Sequence, residues 1–364
     1  MKKSFFILAA FALLAASCAK TELVSSGALS SQKGIGFSAY TAKPTKAAQT
    51  DVITEEFTSF KVSAIGNGAV YFDNVTFSKN SEGVWASTPA YFWPAYKLNF
   101  YAYNTPVNGQ FTPSIETSSQ TITFTPSTTL ADQEDLVAAC AENQTQPVSG
   151  STSLTFNHYL TQIAVKALNT NSTYSVEVAG VKIAHMKNKV KYTFSSNTAV
   201  VADDATDETY SSEFTSGAKT LTADAQEVMT ASTGNKWYLV PQSITAWNKT
   251  ETDNASDGTY LALKVKITAN SGALKIYPAT GDDYAWMAVP VTGVTEFESG
   301  HKYTFVIKFF DNNGAGNVDP ETPGDLDGDG DANDDNGKSI IGGAITFNAT
   351  VIPWAPETVI NISL

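Results

Sequence analysis

The sequence predicts an all-β protein: two tandem β-sandwiches followed by one appended C-terminal strand. Three observations carry this expectation. Past residue 34, short runs alternate polar residues with β-branched or aromatic ones. Clusters of Gly, Pro, Asn and Ser punctuate those runs, and no stretch sustains a helical repeat. Roughly seven runs lie on either side of residue 150, about what one sandwich requires. The length of 364 residues also suits roughly two domains of about 100–200 residues each.

The first element is a leader, read as a signal peptide over 1–17. Lys2 and Lys3 form a positive start, Phe5 to Leu14 an apolar stretch, and Ala15, Ala16 and Ser17 lead to Cys18. The apolar run is too short to span a bilayer. A cysteine directly after small residues has the form of a bacterial lipobox, which makes Cys18 the expected lipidation site, carrying palmitate among its acyl chains. Removing Lys2 and Lys3 leaves 21 lysines against 36 acids, a charge of −15. Cys140 is then the one remaining side-chain thiol, and its setting in LVAAC predicts a small buried hydrophobe.

Expected strands of the first domain, residues 47–150, include FKVSAIGN (60–67), AVYFDNVTF (69–77), LNFYAYN (98–104), TITFTP (121–126) and LVAAC (136–140). Gly68 suits a tight turn between the first two. A further strand at 35–42 precedes this domain within a propeptide-like segment, 18–46. The polar stretch 142–152, with Pro147 and Gly150, is the candidate linker. The long run SLTFNHYLTQIAVKALN (153–169) is able to open the second domain, 151–310, or to close the first. The second domain continues through runs at 173–184, 189–195, 236–241, 259–267, 284–291 and 301–310.

An acidic loop, 311–338, follows, with nine acids and one lysine. Asp325, Asp327, Asp329, Gly330 and Asp331 match the first half of a calcium loop, where carboxylates at positions 1, 3 and 5 converge and glycine at 6 permits the turn. Position 12 is Asn336 where a bidentate glutamate is expected, so Asp334 or Asp335 has to substitute. A site for Ca2+ and a merely solvated insertion are both open readings. In the segment 339–364, Ile345, Phe347, Ala349 and Val351 share one face of a strand. Ile360, Ile362 and Leu364 share one face of another, with Pro353 and Pro356 between.

Composition narrows the function. All 23 basic residues are lysine, the net charge is −13, and there is no arginine. No basic stripe is available to release counterions from nucleic acid, and the side chain that best grips phosphate is missing. Three histidines without metal-ligand spacing, and no nucleophile or phosphate-loop motif, point away from an enzyme, with no catalytic residue expected. Trp85, Trp93 and Trp247 are read as core residues before a sugar-stacking platform.

Several phrases taken in order resemble the fimbrillin family of Bacteroidales lipoproteins, the pilins of the type V pilus. They are YFWPAYKLNFYAYNTP (91–106), DLVAA (135–139), LTFNHYLTQIAVKA (154–167), WYLVPQ (237–242), WMAVP (286–290) and GHKYTFVIKF (300–309). A closing pattern of Ile345, Phe347, Val351 and Trp354 adds to them. The resemblance implies transthyretin-like sandwiches, export to the outer membrane as a lipoprotein, and assembly into a cell-surface fimbrium that supports adhesion. It implies partners that are other copies of the chain and related pilins, with outer-membrane lipid held through Cys18 before processing.

In that family a protease removes the first strand, and a neighbour's C-terminal strand fills the slot. Here the plug is GFSAYT (36–41), with Phe37 and Tyr40 near the alternating apolar positions. Candidate processing sites are Lys43 and Lys46; Pro44 hinders cleavage after Lys43. An arginine-specific protease cannot act on this chain, so either a lysine-directed enzyme matures it or it is not matured by cleavage. The candidate donor residues are Ile345, Phe347, Val351, Trp354, Ile360, Ile362 and Leu364. The expected role is a stalk pilin; the alternative is a non-polymerising surface lipoprotein that binds glycans or host proteins.

Overall fold

The computed structural model describes residues 33–41, 58–81, 84–106, 108–230, 236–248, 258–269, 272–281, 283–311, 315–341 and 346–353. Across these residues the regular structure is β-strand, with a 3-10 turn at Leu130–Asp132. Among the described residues no helix is long and apolar enough to cross a membrane.

The N-terminal sheet closes on itself. Its order runs Gly36–Thr41, Trp85–Ala86, Ala69–Lys79, Ser59–Gly66, Leu98–Asn104, Val137–Gln144 and Thr152–His158, and the last strand returns to the first. Each antiparallel step reverses direction, so a ring of seven strands needs at least one parallel pair. That pair is Gly36–Thr41 against Thr152–His158, and the other contacts in the ring are antiparallel. Asn67 and Gly68, at φ 51° and 73°, form the tight hairpin that the sequence marks. Inside lie Phe37, Phe60, Phe77, Trp85, Trp93, Phe100 and Phe156, all buried.

The C-terminal part is a sandwich of two sheets. One sheet orders Gln226–Glu227, Thr161–Asn169, His301–Phe309 and Thr346–Pro353, with Trp237–Leu239 also on Thr161–Asn169. The other orders Asp207–Glu213, Tyr174–Lys187, Tyr260–Ala269, Ala285–Pro290 and Asn317–Val318. Alternate residues Tyr303, Phe305, Ile307 and Phe309 turn inward to meet Val176, Val178, Val181 and Ile183 from the facing sheet.

Three expectations need correction. The run 153–169 serves both units: Thr152–His158 completes the first ring, and Thr161–Asn169 enters the second sandwich. The changeover is therefore at Tyr159 and Leu160, both buried, and not at residue 150. The halves are also not independent beads. A four-stranded sheet orders Thr198–Val201, Val190–Thr193, Gln120–Phe124 and Phe111–Ile115, pairing strands from either side of the expected boundary. A shared cluster backs it, with Tyr101, Tyr103 and Phe124 packed among Tyr192, Phe194 and Val240. Cys140 is exposed on Val137–Gln144, not buried, because the run of inward residues ends at Ala139.

Candidate functional site

The first strand is wedged into the ring and paired along both edges. Ile35, Phe37 and Ala39 point into the ring and are almost fully buried. The Phe37 ring lies 4.9 Å from that of Phe77 and 5.0 Å from that of Phe100, both edge-on. Tyr40 belongs to the opposite face and is only half-buried, so the apolar alternation is 35, 37, 39, offset from the expected pairing of Phe37 with Tyr40. Along one edge the strand pairs in parallel from Phe37 to Thr41; along the other it meets Trp85–Ala86 over two residues. Gly36 is required for that approach, since a Cβ there would sit 2.9 Å from Val84 Cγ1. Lys33 Nζ donates to the Gly150 carbonyl at 2.6 Å, and the hydroxyls of Ser38 and Ser151 share a hydrogen bond.

Removing this strand would open the ring between Trp85–Ala86 and Thr152–His158 and expose the pocket that Phe37 fills. Cys18, Lys43 and Lys46 lie outside the described residues.

The C-terminal segment is divided. Thr346–Pro353 is the edge strand of the second sandwich, antiparallel to His301–Phe309, with Phe347 opposite Ile307 and Val351 opposite Tyr303. The expected lever of the donor is thus docked on its own domain in this structure, as strand pairing with a free sheet edge favours. Ile345, Trp354, Ile360, Ile362 and Leu364 lie outside the described residues.

The acidic loop is packed down at several points, while residues 327–331 stay exposed. Asn317–Val318 joins the sheet edge beside Met287 and Ala288, and Ala315, Asp319, Asp325, Asp335 and Ile340 are buried. Asp325 accepts hydrogen bonds from the backbone N–H of Gly328 at 2.7 Å and Gly330 at 3.2 Å, and from the Thr280 hydroxyl. These donors, the hydroxyl foremost, hold its carboxyl below the usual range. Gly328 and Gly330, at φ 87° and 92°, allow the loop to coil around it. Asp335 accepts from the N–H of Leu326 at 2.5 Å and from Lys338 Nζ at 3.0 Å.

Carboxylate oxygens of Asp325, Asp327 and Asp335 lie within 4.8 Å of one another, and so do those of Asp327, Asp329 and Asp334. Desolvation, then repulsion from Asp329, Asp335 and Asp327, pushes the Asp334 carboxyl up. Asp331 falls outside both groups; its carboxylate instead accepts from the Asn333 N–H. Asp335 belongs to the first of these groups and Asp334 to the second, while Asn336 at position 12 belongs to neither.

The three histidines each meet a carboxylate: His158 meets Asp135, His185 meets Glu321 at 2.9 Å, and His301 meets Glu298 at 3.3 Å. Trp85, Trp93 and Trp247 are each 3% exposed, so they supply no stacking platform.

A family model described as fimbrillin-like matches residues 24–322. No curated protein matches the sequence significantly. Among solved structures, a candidate cell adhesion protein from Bacteroides ovatus aligns at 14% identity, covering 90% of this chain and all of that one, with a TM-score of 0.50. A second candidate adhesion protein, from Bacteroides uniformis, aligns at 12% identity over 90% of this chain and 99% of its own, with a TM-score of 0.44. The fimbrial anchor protein Mfa2 from Porphyromonas gingivalis aligns at 11% identity over 88% of this chain and 99% of its own, with a TM-score of 0.37. The first of these shows a shared fold, and the family match runs from ahead of the first strand into the acidic loop: the chain belongs to the fimbrillin-like family.

Proposed function

We propose that this chain is a structural stalk subunit of a surface fimbrium, assembled by exchanging its first strand for the C-terminal strand of a neighbour. One observation supports this most: Ile35, Phe37 and Ala39 fill the ring at alternate positions, and Ile360, Ile362 and Leu364 repeat that spacing in the tail. A donated strand in the same register would restore the backbone ladder and the apolar filling together. Each large apolar side chain contributes about 1.5–3 kcal/mol on burial. Thr346–Pro353 stays on its own domain in this scheme, and the proline-bounded segment after it reaches outward. Cys18 anchors the precursor to the outer membrane until a cut after Lys46 releases plug and lipid together.

The experiment is a limited lysine-specific digest of lipid-free protein, followed by size analysis. Cleavage at Lys46 is expected to yield ladders of oligomers that vanish when residues 357–364 are deleted. Monomers persisting after complete cleavage there overturn the reading, and they are what the alternative, a non-polymerising surface lipoprotein, requires.

A second reading concerns the acidic loop, which we infer to be a calcium site. The donor set is all oxygen and carries charge that one lysine leaves largely uncompensated, which suits a hard divalent cation. Asp325, Asp327, Asp329, Asp334 and Asp335 would hold it, and the ion would supply charge neutralisation. Calcium at a hundred times its dissociation constant is expected to stabilise the fold by about 2.7 kcal/mol, seen as a rise in Tm that Asp327→Asn reduces. An unchanged Tm at millimolar calcium rules the site out.

A further inference from the structure

Where the loop crosses the outer face of the second sandwich, it covers a lysine. Lys182 sits on Tyr174–Lys187 between Val181 and Ile183, which face the core, so its own side chain faces the other way. That outer face carries Ala184, Trp247, Tyr260, Ala262 and Ala288, an apolar patch with Trp286 at its margin. Asp319 closes over it. The side chains of Lys182 and Asp319 are 7% and 0% exposed, and Nζ lies 3.1 Å from Oδ2.

The two carboxylate oxygens of Asp319 are treated differently. Oδ1 accepts from the N–H of Glu321 at 3.0 Å, the N–H of Thr322 at 2.8 Å and the Thr322 hydroxyl at 3.0 Å. Oδ2 receives no aligned hydrogen bond among the described residues, although the lysine nitrogen is in contact with it. Lys182 Nζ is steered by a hydrogen bond to Thr322 Oγ1 at 3.0 Å and lies 5.0 Å from the centre of the Trp286 ring. The Tyr260 hydroxyl is buried against Asp319 and Glu321, and His185 fixes Glu321 from the far side.

We propose that Lys182 and Asp319 are joined by an intramolecular amide bond between Nζ and Cγ. The arrangement supplies what that condensation needs. One proton passes from the ammonium to Oδ2, giving a neutral amine and a neutral acid. The nitrogen attacks Cγ, and negative charge collects on Oδ1, where two backbone N–H groups and a hydroxyl already converge. Oδ2 takes a second proton from the nitrogen and leaves as water. An ammonium and a carboxylate become an amide and one water, so atoms, protons and charge balance without oxidant, cofactor or activated donor. Burial keeps solvent from reversing the step and holds the partners in contact, which raises their effective concentration. The product bolts the segment that leads toward the C-terminal strand onto the body of the subunit, where pulling force along a polymer would otherwise peel it away.

The test is the intact mass of the purified full chain, with peptide mapping. The wild type is expected to be lighter than its sequence by one water, and a lysine-specific digest should yield a branched peptide joining Lys182 to Asp319. Lys182→Met and Asp319→Ala should each restore the full mass. Water lost elsewhere, such as at the Asp-Gly pairs of the loop, survives in Lys182→Met and counts against the proposal. A wild-type mass equal to the sequence overturns it, as does a map in which the Lys182 and Asp319 peptides separate. Should either variant fail to fold, the wild-type map alone decides.

Discussion

Phe37→Ala is expected to destabilise the uncut protein by about 3–5 kcal/mol, the cost of emptying a well-packed aromatic site. Phe37 is completely buried and its ring touches those of Phe77 and Phe100. The surrounding rings belong to paired strands of a closed sheet, so they have little room to collapse into the gap. Tyr40→Ala, on the opposite and half-exposed face, should cost much less. The informative contrast is with assembled material. Once the first strand is cut away and replaced by a neighbour's, Phe37 is no longer part of the fold, and the substitution should leave oligomer stability unchanged. Thermal or denaturant unfolding of both states measures the difference. Equal destabilisation before and after cleavage would show that the strand is never exchanged.

The second large effect is expected at Lys182. Replacing it with methionine removes the amide and leaves Asp319 as a buried carboxylate with no partner, and stranding a buried charge in this way costs about 3–5 kcal/mol. Removing the stranded carboxylate as well, as in Lys182→Met with Asp319→Leu, should recover part of that loss, because an apolar pair in the same space carries no desolvation penalty. Unfolding followed from the tryptophans near the site, Trp247 and Trp286, reads the change directly. A single variant as stable as the wild type would show that the loop is not clamped at this point.

Much of the strand content is readable locally, and the reasons for the failures are physical. His301–Phe309 alternates cleanly because one of its faces meets a core and the other does not. Tyr260–Leu263 is buried at four consecutive positions, the mark of a strand covered on both faces, and this is the stretch that the acidic loop helps to cover. That covering layer lies some sixty residues further along the chain, so Lys182 reads as a solvated residue of an outer face until the loop is placed. Asp207–Glu213 escapes detection because its inward residues are Tyr210 and Ser212, and the rest is polar edge. The run 153–169 looks like one strand because its apolar pattern continues through Tyr159 and Leu160, with neither glycine nor proline at the change of sheet. The constraint is instead carried by Gly300, at φ 69°, where a Cβ would lie 3.1 Å from the His158 carbonyl. The sheet linking Phe111–Ile115 and Gln120–Phe124 to Val190–Val201 depends on pairing between distant segments, which no local period encodes.

The candidate site was legible to a different degree. The first strand stands out by its alternation, yet the sequence favours Tyr40 for the inward phase, because it is larger and more apolar in appearance than Ala39, which is the residue that turns inward. The spacing of the aspartates in the acidic loop is visible in sequence, while the place of Asp335 among them follows from a fold-back that brings it onto the N–H groups of Leu326 and Asp327. The absence of arginine restricts any activating cut to lysine or to a non-basic position, and in the sequence Lys46 follows Thr41, the last residue of the first strand, by five positions.

The central claim, that a neighbour's tail replaces the first strand, is tested most directly by a photo-crosslinking residue placed at Ile362. After cleavage at Lys46 and assembly, the account predicts intermolecular crosslinks to the wall that Phe37 vacates, around Phe77, Phe100 and Thr152–His158. Crosslinks confined to the same chain, on the sheet that carries His301–Phe309, would contradict it.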